Sequence, residues 1–269
     1  FDNLMEGQLN IKNAINKKID YIDQESGKEY KLDKKTAVLI IRPRGLHLDE
    51  KNVTINEERV SGTFFDLALS LFHNAKKLIQ NGSGPYFYLP KLEHYLECRM
   101  LNEVISFCEK KLDIEVGTVK VTVLIETINA VFQMDEFLWE LKDHIVGLNA
   151  GRWDYLFSYQ KVYRNTKKVI LPDRSKVNMF VPFMSNYNKL LVDTCHKRGA
   201  FGMGGMSAQV IAKANPKEVN EKALMGVKKD KQRELEQGND GAWVAHPSLV
   251  EPVKIIFEKN FKGPNQLNK

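Results

Sequence analysis

The sequence lacks the features of a membrane or secreted protein. Among its 269 residues, no apolar run approaches the ~20 residues that a membrane span needs. No basic stretch followed by an apolar one stands at the beginning, as a secretion signal would. The three cysteines, Cys98, Cys108 and Cys195, are odd in number and lack the spacing of metal ligands. We therefore predict an intracellular, cytoplasmic protein with no membrane partner and with reduced, mostly buried thiols.

The sequence also lacks a nucleic-acid-binding motif, although its net charge is +6. No segment combines basic residues with aromatic residues for stacking on bases. The densest basic cluster, 228–233, alternates with acidic residues, which is typical of a solvated helix face. These patterns predict no nucleic-acid partner and a mild preference for phosphorylated or carboxylate substrates.

Short apolar runs that alternate with helical patterns are the main organisation of the chain. The predicted strands are 38–41, 86–89, 119–126, one within 148–157, 200–203 and 242–245. The predicted helices are 8–16, one from Thr63 to before Gly82, 93–111, 129–144, 185–197, a polar helix after Gly205, and 247–260. Such alternation predicts an α/β fold of parallel strands, either a (β/α)8 barrel or an open doubly wound sheet.

Two observations favour the barrel. A dinucleotide-binding sheet needs a glycine fingerprint, and the segment 202–205 (GMGG) does not match one, so we interpret it as tight turns at a strand end. Five charged or polar residues and one glycine follow the predicted strand ends, where the active sites of barrels lie. These residues are Arg42, Lys91, Glu126, Asp154, Gly204 and His246. Because only about six β/α units are visible, either a further strand lies hidden in 30–32 or the barrel is incomplete within residues 1–269, and we predict the incomplete barrel.

Glu126 and Asp154 are the most informative acids, because each ends an apolar run that is typical of a buried strand. A buried carboxylate costs several kcal/mol unless it is paired or binds a metal. Two such acids on successive strands can bind one hard cation, which suggests an enzyme. The alternative for Glu126 is a structural ion pair, and the same alternative holds for Lys91, which could instead bind an anionic group.

Seven motifs in the chain resemble malate synthase of the A type. They are 41–48 (IRPRGLHL), 84–91 (GPYFYLPK), 123–127 (VLIET), 132–136 (FQMDE), 147–155 (GLNAGRWDY), 195–205 (CHKRGAFGMGG) and 243–247 (WVAHP). The resemblance implies a TIM barrel that condenses glyoxylate with acetyl-CoA and hydrolyses the product to malate and CoA. It also implies Mg²⁺ as cofactor and a place in the glyoxylate cycle.

The resemblance assigns roles to residues of the predicted site. Glu126 and Asp154 match the Mg²⁺ ligands, and two carboxylates with a chelating substrate suit an octahedral oxygen shell. Arg42 matches the catalytic arginine, which also binds glyoxylate and stabilises developing negative charge. The loop whose backbone amides hold glyoxylate matches Gly151, Arg152, Trp153 and Asp154. His246 and Pro247 match a loop that contacts CoA.

The sequence also departs from the family. The catalytic base of the family is an aspartate in a Leu-Met-Glu-Asp segment of a C-terminal helical domain, and no such segment occurs here. The acidic strand that opens the family's barrel is absent as well. Because loss of a positioned base costs ~10²–10⁴-fold in rate, we expect this chain alone to be inactive or nearly so, and to need that domain for catalysis.

Two other functions stay open from the sequence. One is a related barrel lyase that acts on an acyl-CoA, of the citrate-lyase β-subunit type, although the motifs around Arg42 and Trp153 argue against it. The other is a non-catalytic remnant that only binds a ligand. A peroxisomal or glyoxysomal location is the alternative to the cytoplasm.

Overall fold

The computed structural model describes residues 2–207, 209, 211–212 and 214–269. Its strands are β1 (Asp20–Ile22), β2 (Glu29–Lys31), β3 (Ile40–Ile41), β4 (Asp49–Ile55), β5 (Glu58–Ser61), β6 (Tyr86–Leu89), β7 (Lys120–Ile125), β8 (Ile145–Ala150), β9 (Phe201–Ser207) and β10 (Gly241–Val244). Its α-helices are α1 (Asp2–Ile15), α2 (Gly62–Gln80), α3 (Tyr95–Lys111), α4 (Ile128–Val131), α5 (Met134–Glu140), α6 (Arg152–Tyr163), α7 (Pro182–Lys197), α8 (Lys217–Glu236) and α9 (Val250–Asn260).

The six strands predicted from apolar runs are all present, as β3 and β6 to β10. The clearest is β7, in which every residue after Lys120 is buried. Such a continuous apolar run is typical of a parallel strand that is covered on both faces. The described registers are parallel as well: β3 with β6, β8 with β9, and β9 with β10. The fold is therefore α/β, with parallel strands joined by helices, as predicted.

The chain divides into two compact units. The first comprises Phe1–Pro90 and Met100–Val121, and the second comprises Lys91–Arg99 and Thr122–Lys269. The first unit contains β3 beside β6, and it also contains two antiparallel hairpins, β1–β2 and β4–β5. The hairpins were not predicted, because their strands are mostly exposed and polar and so lack an apolar pattern.

The loop after β3 in the first unit is fixed by a charge cluster centred on Arg44. The guanidinium donates to both carboxylate oxygens of Asp66 at 3.0 Å and to Glu50 at 2.7 Å. Thr63, where the helix was predicted to begin, lies inside α2 and donates its hydroxyl to the Arg44 carbonyl oxygen. Thus α2 is joined to the loop by side-chain hydrogen bonds rather than by a cap.

In the second unit the strand order is β7-β8-β9-β10. Gly204 lies within β9 and not in a turn, which corrects the prediction for 202–205. A Cβ at this position would come within 2.2 Å of the Glu234 carboxylate, so a larger residue would displace that buried side chain, and the glycine serves close packing and not chain reversal. Helices α8 and α9 pack through an apolar cluster made of Val227, Leu235, Leu249, Val253 and Phe257.

The basic cluster of α8 is only partly solvated, which corrects the interpretation of 228–233 as a solvated helix face. Lys231 is fully buried, and its ammonium contacts the Gly205 carbonyl oxygen at 2.5 Å and Glu234 at 3.0 Å. Arg233 is buried beside Asp230 and Glu234. Alternating charges gave the pattern of a solvated face, but here they pair with each other against β9.

The cysteines are free, as predicted: Cys98 and Cys195 are buried and Cys108 is half-buried. Burial raises the pKa of the Cys195 thiol to about 12, so it is inert as a nucleophile. Among the described residues, no helix combines the length and the apolar character that crossing a bilayer requires.

Candidate active site

Glu126 follows the last residue of β7 directly, and its side chain is almost fully buried. Lys91 contacts both of its carboxylate oxygens. The Lys91 backbone amide donates to Oε1 at 2.7 Å, and the Lys91 Nζ lies 3.1 Å from Oε2. The buried Glu126 carboxylate is thus paired with Lys91. Of the two roles left open for Lys91, an ion pair or the binding of an anionic group, the structure shows the ion pair.

Asp154 approaches the same lysine from a different element. Its Oδ1 lies 2.9 Å from the Lys91 Nζ, and its carboxyl group is in hydrogen-bonding contact with Glu126. The prediction that Asp154 ends a strand is wrong, because β8 stops at Ala150 and Asp154 lies in the first turn of α6. The predicted convergence of the two acids is nevertheless observed.

The backbone of Lys91 is in the left-handed region, with φ of 63°. A non-glycine residue rarely adopts this conformation, and holding it costs on the order of 1–3 kcal/mol. The conformation is held where the amide and the ammonium of one residue both bind Glu126. Strain of this kind concentrates at functional sites.

The electrostatics of the pair favour a shared cation. Burial raises the pKa of Glu126, the adjacent Asp154 raises it further, and Lys91 opposes both effects. Two carboxylates in contact repel each other when both are ionised, so they either share a proton or are stabilised by a positive charge close to both. Within the described part of the chain no cluster of three or more His, Cys, Asp or Glu side chains could bind a metal ion. Two carboxylates alone suit Mg²⁺, which is commonly held by one or two carboxylates and otherwise keeps its waters.

Gly151 separates β8 from α6 and lies against Glu126. A Cβ at this position would lie 2.6 Å from the Glu126 Cβ, so only glycine allows this approach. The Gly151 amide donates to the Tyr187 hydroxyl at 2.9 Å and to the Ile125 carbonyl oxygen at 3.3 Å. The Tyr187 hydroxyl donates in turn to the Ile125 carbonyl oxygen through a very short contact. Tyr187 therefore links the ends of β7 and β8.

The other predicted site residues lie in several places. Arg152 is half-buried and Trp153 is partly exposed, both in the first turn of α6 beside Asp154. His246 and Pro247 are exposed after β10, where the His246 Nδ1 accepts from the Ser248 amide and caps a short 3₁₀ turn. Arg42 is exposed directly after β3, in the first unit.

The sequence analysis did not identify Tyr187. The residue lies 36 positions from Gly151 and 62 positions from Ile125, inside an amphipathic helix. A buried tyrosine on such a helix gives no signal in the sequence that separates it from a core residue.

Comparison with known proteins decides the family. Residues 38–269 match the family model "Malate synthase, TIM barrel domain". The chain belongs to the malate synthase family. It is 46% identical over 268 residues to malate synthase of Myxococcus xanthus, covering all of this chain and 49% of that protein. It is 49% identical over 257 residues to malate synthase A of Escherichia coli, covering 96% of this chain and 48% of that protein.

A plant relative and two solved structures complete the comparison. Glyoxysomal malate synthase of Brassica napus is 48% identical over 270 residues. A citrate lyase from Burkholderia xenovorans aligns with a TM-score of 0.57 at 20% identity, covering 72% of this chain and 53% of that chain. RipC from Yersinia pestis aligns with a TM-score of 0.55 at 14% identity, covering 82% and 76%. At these identities the structures show the fold alone.

The malate synthase match confirms the family that the seven motifs indicated, and with it the TIM-barrel fold class. The chain spans about half the length of the curated relatives it matches.

Proposed function

We propose that the protein binds Mg²⁺ and glyoxylate for malate synthesis. In the complete reaction, which depends on Mg²⁺, glyoxylate condenses with acetyl-CoA and the product is hydrolysed to malate and CoA. The observation that carries the proposal is the contact between Glu126 and Asp154 around a single positive charge. This contact stands in a chain that belongs to the malate synthase family.

Glu126 and Asp154 are the residues that would hold Mg²⁺. When bound, the ion polarises the aldehyde carbonyl of glyoxylate as a Lewis acid. The carboxylates lie on different elements, one after β7 and the other in α6, so the approach of β7 and α6 determines their separation. Lys91 supplies the positive charge that stabilises the pair between turnovers.

The first turn of α6 supports the binding of an anionic substrate. The amide of Gly151 is already used by Tyr187, so the donors for glyoxylate are the amides of Arg152 and Trp153. The first amides of an α-helix have no partner within the helix, and its dipole favours a negative charge there. The backbone role predicted for 151–154 thus falls on the residues after the glycine.

The remaining assignments rest on the family's motifs. Arg42 would stabilise the negative charge that develops on the enolate and alkoxide oxygens, since a guanidinium stays charged at all relevant pH values. His246 and Pro247 would contact acetyl-CoA. Abstraction of the methyl proton would require the C-terminal domain of the family. Location in the cytoplasm or in a glyoxysome stays part of the proposal, and the Brassica napus relative is named as glyoxysomal.

The test is calorimetric titration of the 269-residue chain with glyoxylate, with and without Mg²⁺. We expect binding that depends on Mg²⁺ and is lost in Glu126→Gln and in Asp154→Asn. The control is Asp193→Asn, which removes a carboxylate from an exposed ion pair with Lys189. Binding that is equal in the presence and absence of Mg²⁺, or unchanged in both site variants, would contradict the proposal.

A further inference from the structure

A second polar cavity lies within the second unit, beside the start of α6. It has a volume of about 440 Å³, and its lining includes the side chains of Arg152 and Trp153, whose backbone amides are proposed to bind glyoxylate. Its wall combines cationic side chains with an apolar floor formed by Val177, Met179 and Phe180. The cations are Arg152, Arg174 and Lys229.

Two of these cations, Arg152 and Arg174, lie against the indole ring of Trp153. The guanidinium carbons of Arg152 and of Arg174 each lie 4.7 Å from the centroid of the Trp153 ring. Neither guanidinium forms a hydrogen bond or an ion pair with any residue that the structure describes. A guanidinium has five N–H donors in a planar fork, so both side chains keep their hydrogen-bonding capacity for a ligand.

The single acidic residue in the described wall, Asp230, attracts Arg152, as Glu234 also does, but it forms its own close contacts with other groups. Asp230 accepts from the Ser207 hydroxyl at 2.7 Å and from Arg233 at 3.0 Å, and Lys231 lies 3.6 Å away. Its charge is therefore matched by cations behind the wall. Lys229 adds a further positive charge, with its ammonium 5.2 Å from the Phe180 ring centroid. The cavity is thus electropositive and partly apolar.

We infer that this cavity is a binding site for a small organic anion that carries carboxylate or phosphate groups. Arg152 and Arg174 bind the anionic group as a fork, the geometry in which guanidinium matches carboxylate and phosphate oxygens. Phe180 and Met179 contact the carbon skeleton. The inference goes beyond the proposed function, because the anion is bound by side chains and not by the Glu126–Asp154 pair.

The experiment uses two probes at constant ionic strength, inorganic pyrophosphate for the phosphate class and succinate for the carboxylate class. Binding is followed by the fluorescence of Trp153, with Trp153→Phe as the variant that must lose the signal. We expect saturable binding of at least one probe, and the probe that binds assigns the class. Failure of both probes to saturate would overturn the inference.

The decisive variant is Arg174→Gln, because Arg174 lies outside the loop proposed to bind glyoxylate. It should weaken anion binding by about tenfold or more, the equivalent of one charged contact. Arg164→Gln is the matched control, since Arg164 is exposed and donates only to the Lys161 carbonyl oxygen. Equal weakening of anion binding in both variants would show that only the net charge of the protein matters, and it would overturn the inference.

Glyoxylate titration of the same variants separates the two sites. Arg174→Gln should keep its Mg²⁺-dependent glyoxylate binding, and Glu126→Gln should keep its anion binding. Loss of glyoxylate binding in a folded Arg174→Gln protein, judged by an unchanged thermal midpoint, would show one continuous site and would also overturn the inference. Loss of glyoxylate binding in all proteins would contradict the proposed function alone.

Discussion

The Tyr187 hydroxyl accepts a hydrogen bond of 2.9 Å from the Gly151 amide, so a side chain of α7 holds the turn that enters α6. The same hydroxyl donates to the carbonyl oxygen of Ile125, the residue before Glu126. Through these two hydrogen bonds, Tyr187 contacts the backbone near Glu126 and Asp154. Neither bond involves a carboxylate.

Tyr187→Phe should destabilise the turn and weaken glyoxylate binding. The phenyl ring can keep its stacking on Tyr155, where the centroids are 4.3 Å apart, but the Ile125 carbonyl oxygen loses a buried donor. We expect a loss of about 1–3 kcal/mol in the free energy of unfolding, measured in urea, together with weaker binding by calorimetry. Tyr155→Phe, which alters the other ring of the stack, should affect binding less; the reverse order would contradict the linking role.

Gly151→Ala should abolish the approach of Glu126 to the turn. The added Cβ would lie 2.6 Å from the Glu126 Cβ, so β7 or the turn must move. We expect the Mg²⁺-dependent affinity for glyoxylate to fall by more than about tenfold, because displacement of Glu126 would weaken one charged contact. Gly7→Ala is the control, because a Cβ there meets no atom within 4 Å. Glyoxylate binding of normal strength in Gly151→Ala would show that the close approach is unnecessary.

Glu234→Gln should flatten the dependence of stability on pH. The pKa of Glu234 is raised from its usual 4.5 to about 7, chiefly by burial and also by Asp230, against the opposing effects of Lys231 and Arg233. The folded state therefore binds the proton more tightly than the unfolded state, so this carboxyl makes the fold less stable as the pH rises from 4.5 through about 7.

The measurement for Glu234 is the free energy of unfolding in urea at pH 5 and at pH 8. We expect the fall between these values to shrink in Glu234→Gln by on the order of 1–3 kcal/mol. Glu236→Gln, on the exposed side of the same helix, should leave the fall unchanged. An identical fall in the Glu234→Gln protein would mean that its paired cations keep the carboxyl ionised.

Arg44→Lys should destabilise the first unit. Arg44 binds Asp66 through two nitrogens and Glu50 through a third, and both acids are buried. An ammonium cannot reproduce this planar arrangement, so we expect a loss of about 1–3 kcal/mol in urea unfolding. Arg198→Lys is the matched comparison, because Arg198 binds Asp135 in the same way but about half exposed. It should lose less than about 1 kcal/mol, and an equal loss in both variants would refute the role of burial.

The parts of the fold that could be predicted are those with a continuous apolar pattern. Strand β7 is apolar throughout because both of its faces are buried, and its prediction was correct to within a residue at each end. The hairpins β1–β2 and β4–β5 are held by backbone hydrogen bonds between exposed strands, for which the side chains give no pattern. Helix α6 has little amphipathic character, so its first turn was predicted as part of a strand.

The two acids of the site could be predicted, but the residues that pair with them and position them could not. Glu126 and Asp154 were identifiable because a carboxylate beside an apolar run is costly. The pairing of Lys91 depends on a left-handed backbone that lysine rarely adopts, and nothing in its neighbours indicates it. The buried charges of α8 were missed for a different reason. Alternating charges look the same in the sequence whether the side chains are solvated by water or paired with each other.

The contact between Lys91 and Glu126 limits what mutagenesis can measure. Lys91 binds the carboxylate through its ammonium, which any substitution can remove, and through its amide, which no ordinary substitution removes. Proline would delete the amide, but its ring fixes φ near −65° and residue 91 has φ of 63°. Alanine scanning therefore reports half of this interaction, and an amide-to-ester exchange in the main chain is required to measure the other half.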